Sequence, residues 1–323
     1  MEERYNESEA LLTVKDLKMH FPFAEGGLFS RKKGAIRAVD GISFSVKKGE
    51  TLGLVGESGC GKSTAARAIA QLYTPTSGSV RFKGMELAGC SPHTLMQARK
   101  DMQMVFQDPY ASLNPRMTAG NIIAEPMRIL TQRGILSYTK QEIDDRVEVL
   151  MEKVGLSRFF RNRYPHEFSG GQRQRIGVAR SIAVNPRLIV ADEPVSALDL
   201  SVQAQILNFL KEIQREFMLS YLFISHDLGV VKHMCDYIYI MYRVRFVEAG
   251  TREDIYRNPM HIYTKRLIAA IPEMNVDMRD EYKRRRAEIE EIYKRESERY
   301  FSPEGRVYDL KKISDTHYAA LKD

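Results

Sequence analysis

Nine consecutive residues, Gly56 to Thr64 (GESGCGKST), constrain this chain more than any others. They follow a short apolar strand, Thr51 to Val55, and run into a segment of helical periodicity that begins at Lys62 (KSTAARAIAQL). A strand that turns through glycines into a helix can bend its peptide N–H groups inward. A Cβ at those positions would obstruct or strain the bend. The inward N–H groups and the helix start make an anion site, and the GxxxxGK[ST] spacing matches a phosphate-binding loop. Within it Gly56, Glu57, Ser58, Gly59, Cys60 and Gly61 supply backbone. Lys62 reaches the β- and γ-phosphates, the Ser63 hydroxyl ligates Mg²⁺, and Thr64 adds a hydroxyl contact to phosphate. Cys60 reads as a small loop residue rather than a redox group.

A second acidic element follows far along the chain. Arg187 to Ala191 is an apolar strand ending in Asp192-Glu193-Pro194. Adjacent carboxylates at a buried strand end are costly unless a cation or a water network uses them. Asp192 is placed to hold Mg²⁺ through water, and Glu193 to polarise an attacking water. Ser225-His226-Asp227 closes another apolar strand, Tyr221 to Ile224, which sets His226 within reach of a γ-phosphate. Around these positions strands and helices alternate, which predicts a mostly parallel sheet covered by helices.

Leu11 to Phe21 reads as a strand at a sheet edge, Glu25 to Gly34 as an exposed loop, and Ala35 to Val46 as a second strand. From Thr118 to about residue 160 the pattern is helical, and Gly170 onward is a further helix. No run of eighteen apolar residues occurs, and Met1 to Glu9 is polar, so neither a membrane span nor an export signal is expected. Three scattered cysteines predict neither disulfides nor a metal cluster, and suit a reducing cytoplasm. A net charge of +7 over 323 residues is mild and does not call for nucleic acid.

The motifs together resemble the ATPase subunits of ATP-binding-cassette (ABC) importers of the oligopeptide/dipeptide (nickel) type. The resemblance is carried by GESGCGKST, by MQMVFQDPYASLNP (Met102 to Pro115), and by YPHEFSGGQRQRIGVARS (Tyr164 to Ser181). ADEPVSALD, FISHDLGVV and NPMHIYTKRLIAAIP (Asn258 to Pro272) add to it. It implies an α/β P-loop NTPase of ABC type, with a mostly parallel core sheet, an antiparallel β edge and a helical subdomain. Residues 1–272 would form the ATPase domain, with a helical subdomain at about 118–163 extending into the 164–184 signature region. Residues 273–323 would be a charged, partly helical extension.

The resemblance also implies roles. Gln107 contacts Mg²⁺ or the lytic water and couples hydrolysis to a membrane partner. Glu193 is the general base, His226 senses the γ-phosphate, and Asp199 communicates across a dimer. Ser169, Gly170, Gly171 and Gln172 bind the γ-phosphate of an ATP held by the opposite subunit, an arrangement favoured by the helix start at Gly170. Phe21, or in second place Phe29, stacks on adenine, the alternative being an ordinary apolar strand end.

The implied cofactors are ATP and Mg²⁺. No iron–sulfur cluster is expected, because no cysteine follows Cys235. The implied partners are a second homologous ATPase (a heterodimer rather than a homodimer), two membrane permeases and, indirectly, an extracytoplasmic solute-binding protein. The subunit would sit peripherally on the cytoplasmic face of the membrane, with its helical middle and Asp108 to Pro115 lining the permease groove. Oligosaccharide or nickel import is the near alternative. A soluble ABC protein acting on ribosomes or nucleic acid is the distant one.

Two departures stand out. Val244 occupies a hairpin position where relatives carry glycine, so the turn is expected to be reshaped and remote from the chemistry. The tail carries Lys283 to Arg286 (KRRR) and a charged helix, readable as docking against the partner ATPase or the membrane surface, or as a solvated helix laced with i,i+4 charge pairs.

Overall fold

The computed structural model describes residues 10–25, 32–271 and 279–322; Met1 to Glu9 and Phe29 lie outside them. The chain begins β1 (Ala10–Glu25), β2 (Lys32–Lys47), β3 (Thr51–Val55), α1 (Lys62–Ile69), β4 (Ser77–Phe82) and β5 (Met85–Glu86). It continues α2 (Pro92–Asp101), β6 (Met102–Val105), α3 (Ala119–Gln132), α4 (Lys140–Lys153) and α5 (Gly170–Ile182). Next come β7 (Leu188–Asp192), α6 (Leu200–Phe217), β8 (Ser220–Ser225), α7 (Leu228–Met234), β9 (Tyr237–Tyr242) and β10 (Arg245–Thr251). The last elements are α8 (Arg252–Arg257), α9 (Ile262–Ala269), α10 (Arg279–Arg295), α11 (Ser297–Tyr300), β11 (Leu310–Lys312) and β12 (Tyr318–Ala320).

The strands form two sheets. An eight-stranded sheet has the order β11-β12-β10-β9-β3-β8-β7-β6, and a four-stranded sheet the order β2-β1-β4-β5. β9, β3, β8, β7 and β6 pair in parallel, and the smaller sheet is antiparallel throughout. Strands buried on both faces need continuous apolar runs rather than alternation, and β8 supplies one. Its Tyr221 and Phe223 face one core with Ile189 and Ile238, while Leu222 and Ile224 face the other with Leu54, Val190 and Tyr239.

β1 is not the edge strand its imperfect alternation suggests. It pairs with β2 on one side and β4 on the other, and register shifts on either side of Leu17 account for the irregular pattern. Leu12, Val14 and Leu17 are fully buried despite it. The expected loop at Glu25 to Gly34 is also shorter than read, because Glu25 pairs with Lys32 and Phe23 with Gly34.

The helical middle forms as expected. Thr118 caps α3 by accepting the Asn121 N–H, and Thr139 and Glu142 make a reciprocal capping box at the start of α4.

The β9–β10 hairpin closes through Arg243 (φ 43°) and Val244 (φ 67°), both in the left-handed region. The turn is therefore not reshaped, although a β-branched residue is strained there. Two bonds hold it. The Val244 carbonyl accepts from the Asp40 N–H (3.1 Å), and its own N–H donates to the Cys60 carbonyl (3.2 Å). This second bond also corrects the expectation that the turn is remote, since Cys60 belongs to the phosphate loop.

The charged tail is not simply solvated: it packs against its own chain. Arg266 of α9 donates to Glu290 of α10 at 2.6 Å, Arg286 bonds the Ala269 carbonyl, and Ile289 is buried. β12 then pairs with β10, so main-chain bonds join the tail to the large sheet.

Val244→Gly should stabilise the chain. Relief of the left-handed cost, about 1–2 kcal/mol, exceeds the added chain entropy of glycine, about 0.5–1 kcal/mol. Thermal unfolding should show a midpoint higher by roughly 1–3 °C; a lower midpoint would mean that the valine side chain contributes packing that outweighs the strain.

Candidate functional site

Four neighbouring parallel strands, β3, β8, β7 and β6, end at the same edge of the sheet. Ligands in open α/β sheets bind at the carboxyl ends of such strands. β3 delivers the phosphate loop, β6 delivers Gln107, β7 delivers Asp192 and Glu193, and β8 delivers His226. Residues scattered over 170 positions thus meet without any sequence proximity.

The loop closes on its own lysine. Lys62 is 3% exposed, and its ammonium donates to the carbonyls of Gly56 (2.7 Å) and Glu57 (2.8 Å). Burying an ammonium without such acceptors would be costly. Gly56 cannot be any other residue, because a Cβ there would lie 2.1 Å from the Met241 carbonyl oxygen. Glu57, Ser58 and Gly59 are exposed at the mouth, while Ser63 and Thr64 are half-buried on α1. Burial pushes the Cys60 thiol up, partly offset by Lys62, which suits an inert small residue rather than a thiolate.

Ser63 donates its hydroxyl to Asp192 Oδ1 at 2.7 Å. Asp192 is fully buried, and its Oδ2 lacks a hydrogen-bond partner among the described residues. Burial raises its carboxyl above the usual range, the Ser63 bond opposing this. A buried carboxylate oxygen left unsatisfied beside a phosphate loop fits a divalent cation. Ser63 and Asp192, with Gln107 nearby, would hold Mg²⁺, which when bound neutralises phosphate charge.

Glu193 sits at φ 46°, an uncommon conformation for a non-glycine residue, fixed by its N–H bond to the Ile224 carbonyl at 3.0 Å. One carboxylate oxygen, Oε2, accepts from Gln107 Nε2 (3.0 Å) and from His226 Nδ1 (2.9 Å). Glu193 is only 8% exposed, so the carboxylate is largely shielded from bulk water. The contact with Glu193 limits what the His226 ring can offer a phosphate. A neutral ring that donates Nδ1–H to Glu193 offers only a lone pair at Nε2. It serves a phosphate oxygen only after taking a second proton or releasing Glu193.

The structure does not bring every expected residue to this edge. Ser169 caps α5: its hydroxyl accepts the Gln172 N–H (3.3 Å) and its N–H donates to Gln172 Oε1 (3.0 Å). Gly170 and Gly171 lie against Leu198 and Val202, where a Cβ would come within 3.3 and 2.7 Å of those side chains. Among the described residues no hydrogen bond joins this helix start to the phosphate loop. Asp199 is the exposed residue before α6 and makes no side-chain cap. Phe21 is half-buried on β1, edge-on to Tyr73 with ring centroids 5.7 Å apart. One contributor escaped sequence reasoning altogether. Tyr263 of α9 accepts the Glu57 N–H at 3.0 Å from 206 positions away, a pairing that no local pattern announces.

Glu193→Gln should leave nucleotide binding intact and lower turnover by about 10²–10⁴-fold. Steady-state hydrolysis with a parallel binding titration checks this, and turnover at the parent rate would remove Glu193 as the base.

Comparison with known proteins agrees with this geometry. Residues 39–196 match the family model described as ABC transporter, and residues 247–301 the one described as oligopeptide/dipeptide transporter, C-terminal region. The oligopeptide transport ATP-binding protein OppF of Lactococcus lactis is 47% identical over 311 residues, covering 96% of each chain. AppF, the oligopeptide transport ATP-binding protein of Bacillus subtilis, is 53% identical over 265 residues, 82% of this chain and 79% of AppF. Among solved structures, a dimeric post-hydrolysis state of the ATP-binding cassette MJ0796 bound to ADP and Pi superposes with a TM-score of 0.64. It is 27% identical and covers 75% of this chain and 98% of that one. The chain belongs to the ABC transporter family of ATPases, in its oligopeptide/dipeptide transporter branch.

Proposed function

We propose that this chain is the ATP-hydrolysing subunit of an importer for oligopeptides or dipeptides, working as half of a cassette pair that sandwiches ATP. The observation that carries the pairing is that, among the described residues, no hydrogen bond joins the two anion sites. The phosphate loop, Gln107, Asp192, Glu193 and His226 converge at one sheet edge, whereas the Ser169–Gln172 helix start has only local bonds. A second cassette facing the first brings its own helix start to the γ-phosphate, so ATP itself joins the pair. Closure then orders the phosphates between fixed donors, and Glu193 takes the proton of the attacking water. The protein contributes positioning and electrostatics, not a covalent step.

The names of the relatives support peptide as the cargo, OppF and AppF being oligopeptide transport ATP-binding proteins. A di/tripeptide transport ATP-binding protein, DppF of Pseudomonas aeruginosa, is 46% identical over 269 residues. Among the described residues no helix is long and apolar enough to cross a membrane; in this reading separate permease subunits carry the membrane-spanning part. A groove of about 260 Å³ between β6 and α3 supports that docking. Gln103, Met104, Phe106, Glu125, Pro126 and Arg180 line it beside Gln107, and Arg180 also holds the Ser112 carbonyl at 2.8 Å. The partner cassette would be a homologous ATPase, and the assembly would sit on the cytoplasmic face of the membrane.

Ser169→Arg tests the trans arrangement. It should abolish hydrolysis at the partner's site while leaving this chain's own ATP affinity within about twofold. The lost cap costs the helix about 1 kcal/mol, so thermal unfolding is measured alongside. Loss of binding in this chain, with the fold intact, would mean that the helix start serves its own phosphate loop.

A further inference from the structure

The phosphate loop is braced from the C-terminal region by one side chain. Tyr263 is 2% exposed, packed against Tyr242 with ring centroids 4.4 Å apart, and its hydroxyl accepts the Glu57 N–H at 3.0 Å. That N–H and the Gly56 carbonyl belong to one peptide group. The carbonyl side of the same group holds the Lys62 ammonium at 2.7 Å. A peptide plane is rigid, so an acceptor fixed on its N–H side fixes the direction of its carbonyl. Tyr263 thereby orients the oxygen on which Lys62 rests.

Tyr263 is itself held in place. Its N–H donates to His261 Nδ1 (3.1 Å), and the His261 ring lies edge-on to Tyr300 and Phe301 at 5.1 and 5.4 Å. The N–H groups of Met260 and His261 donate to the fully buried carboxylate of Glu248 at 2.7 and 2.9 Å. Glu248 also accepts from Nε2 of His317, in the tail, at 2.7 Å. A continuous chain of hydrogen bonds therefore runs from His317 through Glu248, His261 and Tyr263 to Glu57.

We propose that Tyr263 is a positioning residue for nucleotide binding: its hydroxyl fixes the Gly56–Glu57 peptide and so ties the shape of the phosphate loop to the docked C-terminal segment. This rests on the reading of Gly56 to Thr64 as the nucleotide's phosphate loop.

Tyr263→Phe keeps the ring and removes only the acceptor. In the full chain, titration with ATP and Mg²⁺ should give a Kd about five- to tenfold weaker, and KM should rise in step while kcat stays within about twofold. An unchanged Kd, or a fall in thermal midpoint and kcat with KM unmoved, would reduce Tyr263 to packing and overturn the inference. Lys62→Ala, measured beside it, should lose ATP binding. If Lys62→Ala still bound ATP normally, the phosphate-loop reading would fail first. A lost site in Lys62→Ala with a normal one in Tyr263→Phe would sink the brace alone.

Discussion

A lysine that is only 3% exposed needs acceptors for its ammonium, and the loop it belongs to provides them. Lys62 rests on two carbonyls of its own loop. For those carbonyls to point inward the loop must turn tightly against its neighbours, which is why Gly56 meets the Met241 carbonyl oxygen and Cys60 is held by Val244. The strained hairpin turn and the buried Tyr263 hydroxyl are parts of one frame. They hold the loop in a fixed shape, one that would meet an incoming phosphate already organised.

The second constraint is topological. Parallel strands lying side by side place their carboxyl ends in a row, so Gln107, Asp192, Glu193 and His226 need no sequence proximity to form one cluster. Within that cluster Glu193 oxygen Oε2 is shared by Gln107 and His226, while Ser63 satisfies half of Asp192. Among the described residues, the unsatisfied Asp192 oxygen and the start of α5, capped only by its own Ser169–Gln172 box, are two features left open to a ligand. One suits a cation and the other an anion, which is the pairing of charges that a magnesium nucleotide presents.

Much of this was legible in the sequence because strong local rules apply. The strand–glycine–helix order of 51–64 and the apolar run ending in Asp192-Glu193 each carry their meaning within a few residues. Other features were legible but unread: Ser91-Pro92 is a cap followed by proline at the first helical position, the start signal of α2. β1 misled because register shifts break its alternation. Val244 misled because propensity alone forbids its conformation, while bonds from Asp40 and to Cys60, distant in sequence, enforce it. The return of residues 310–320 to the large sheet, and the reach of Tyr263 to Glu57, depend on partners more than sixty and two hundred positions away. No periodicity reports such pairs.

The central claim is that each ATP is completed by the helix start of a facing cassette. A structure of the cassette pair with a non-hydrolysable ATP analogue and Mg²⁺ tests it most directly. The γ-phosphate should lie between Lys62 of one chain and the Ser169–Gln172 helix start, or its counterpart, in the other. A γ-phosphate contacted by Lys62 and Ser169 of the same chain, or left without any helix-start donors, would contradict the account.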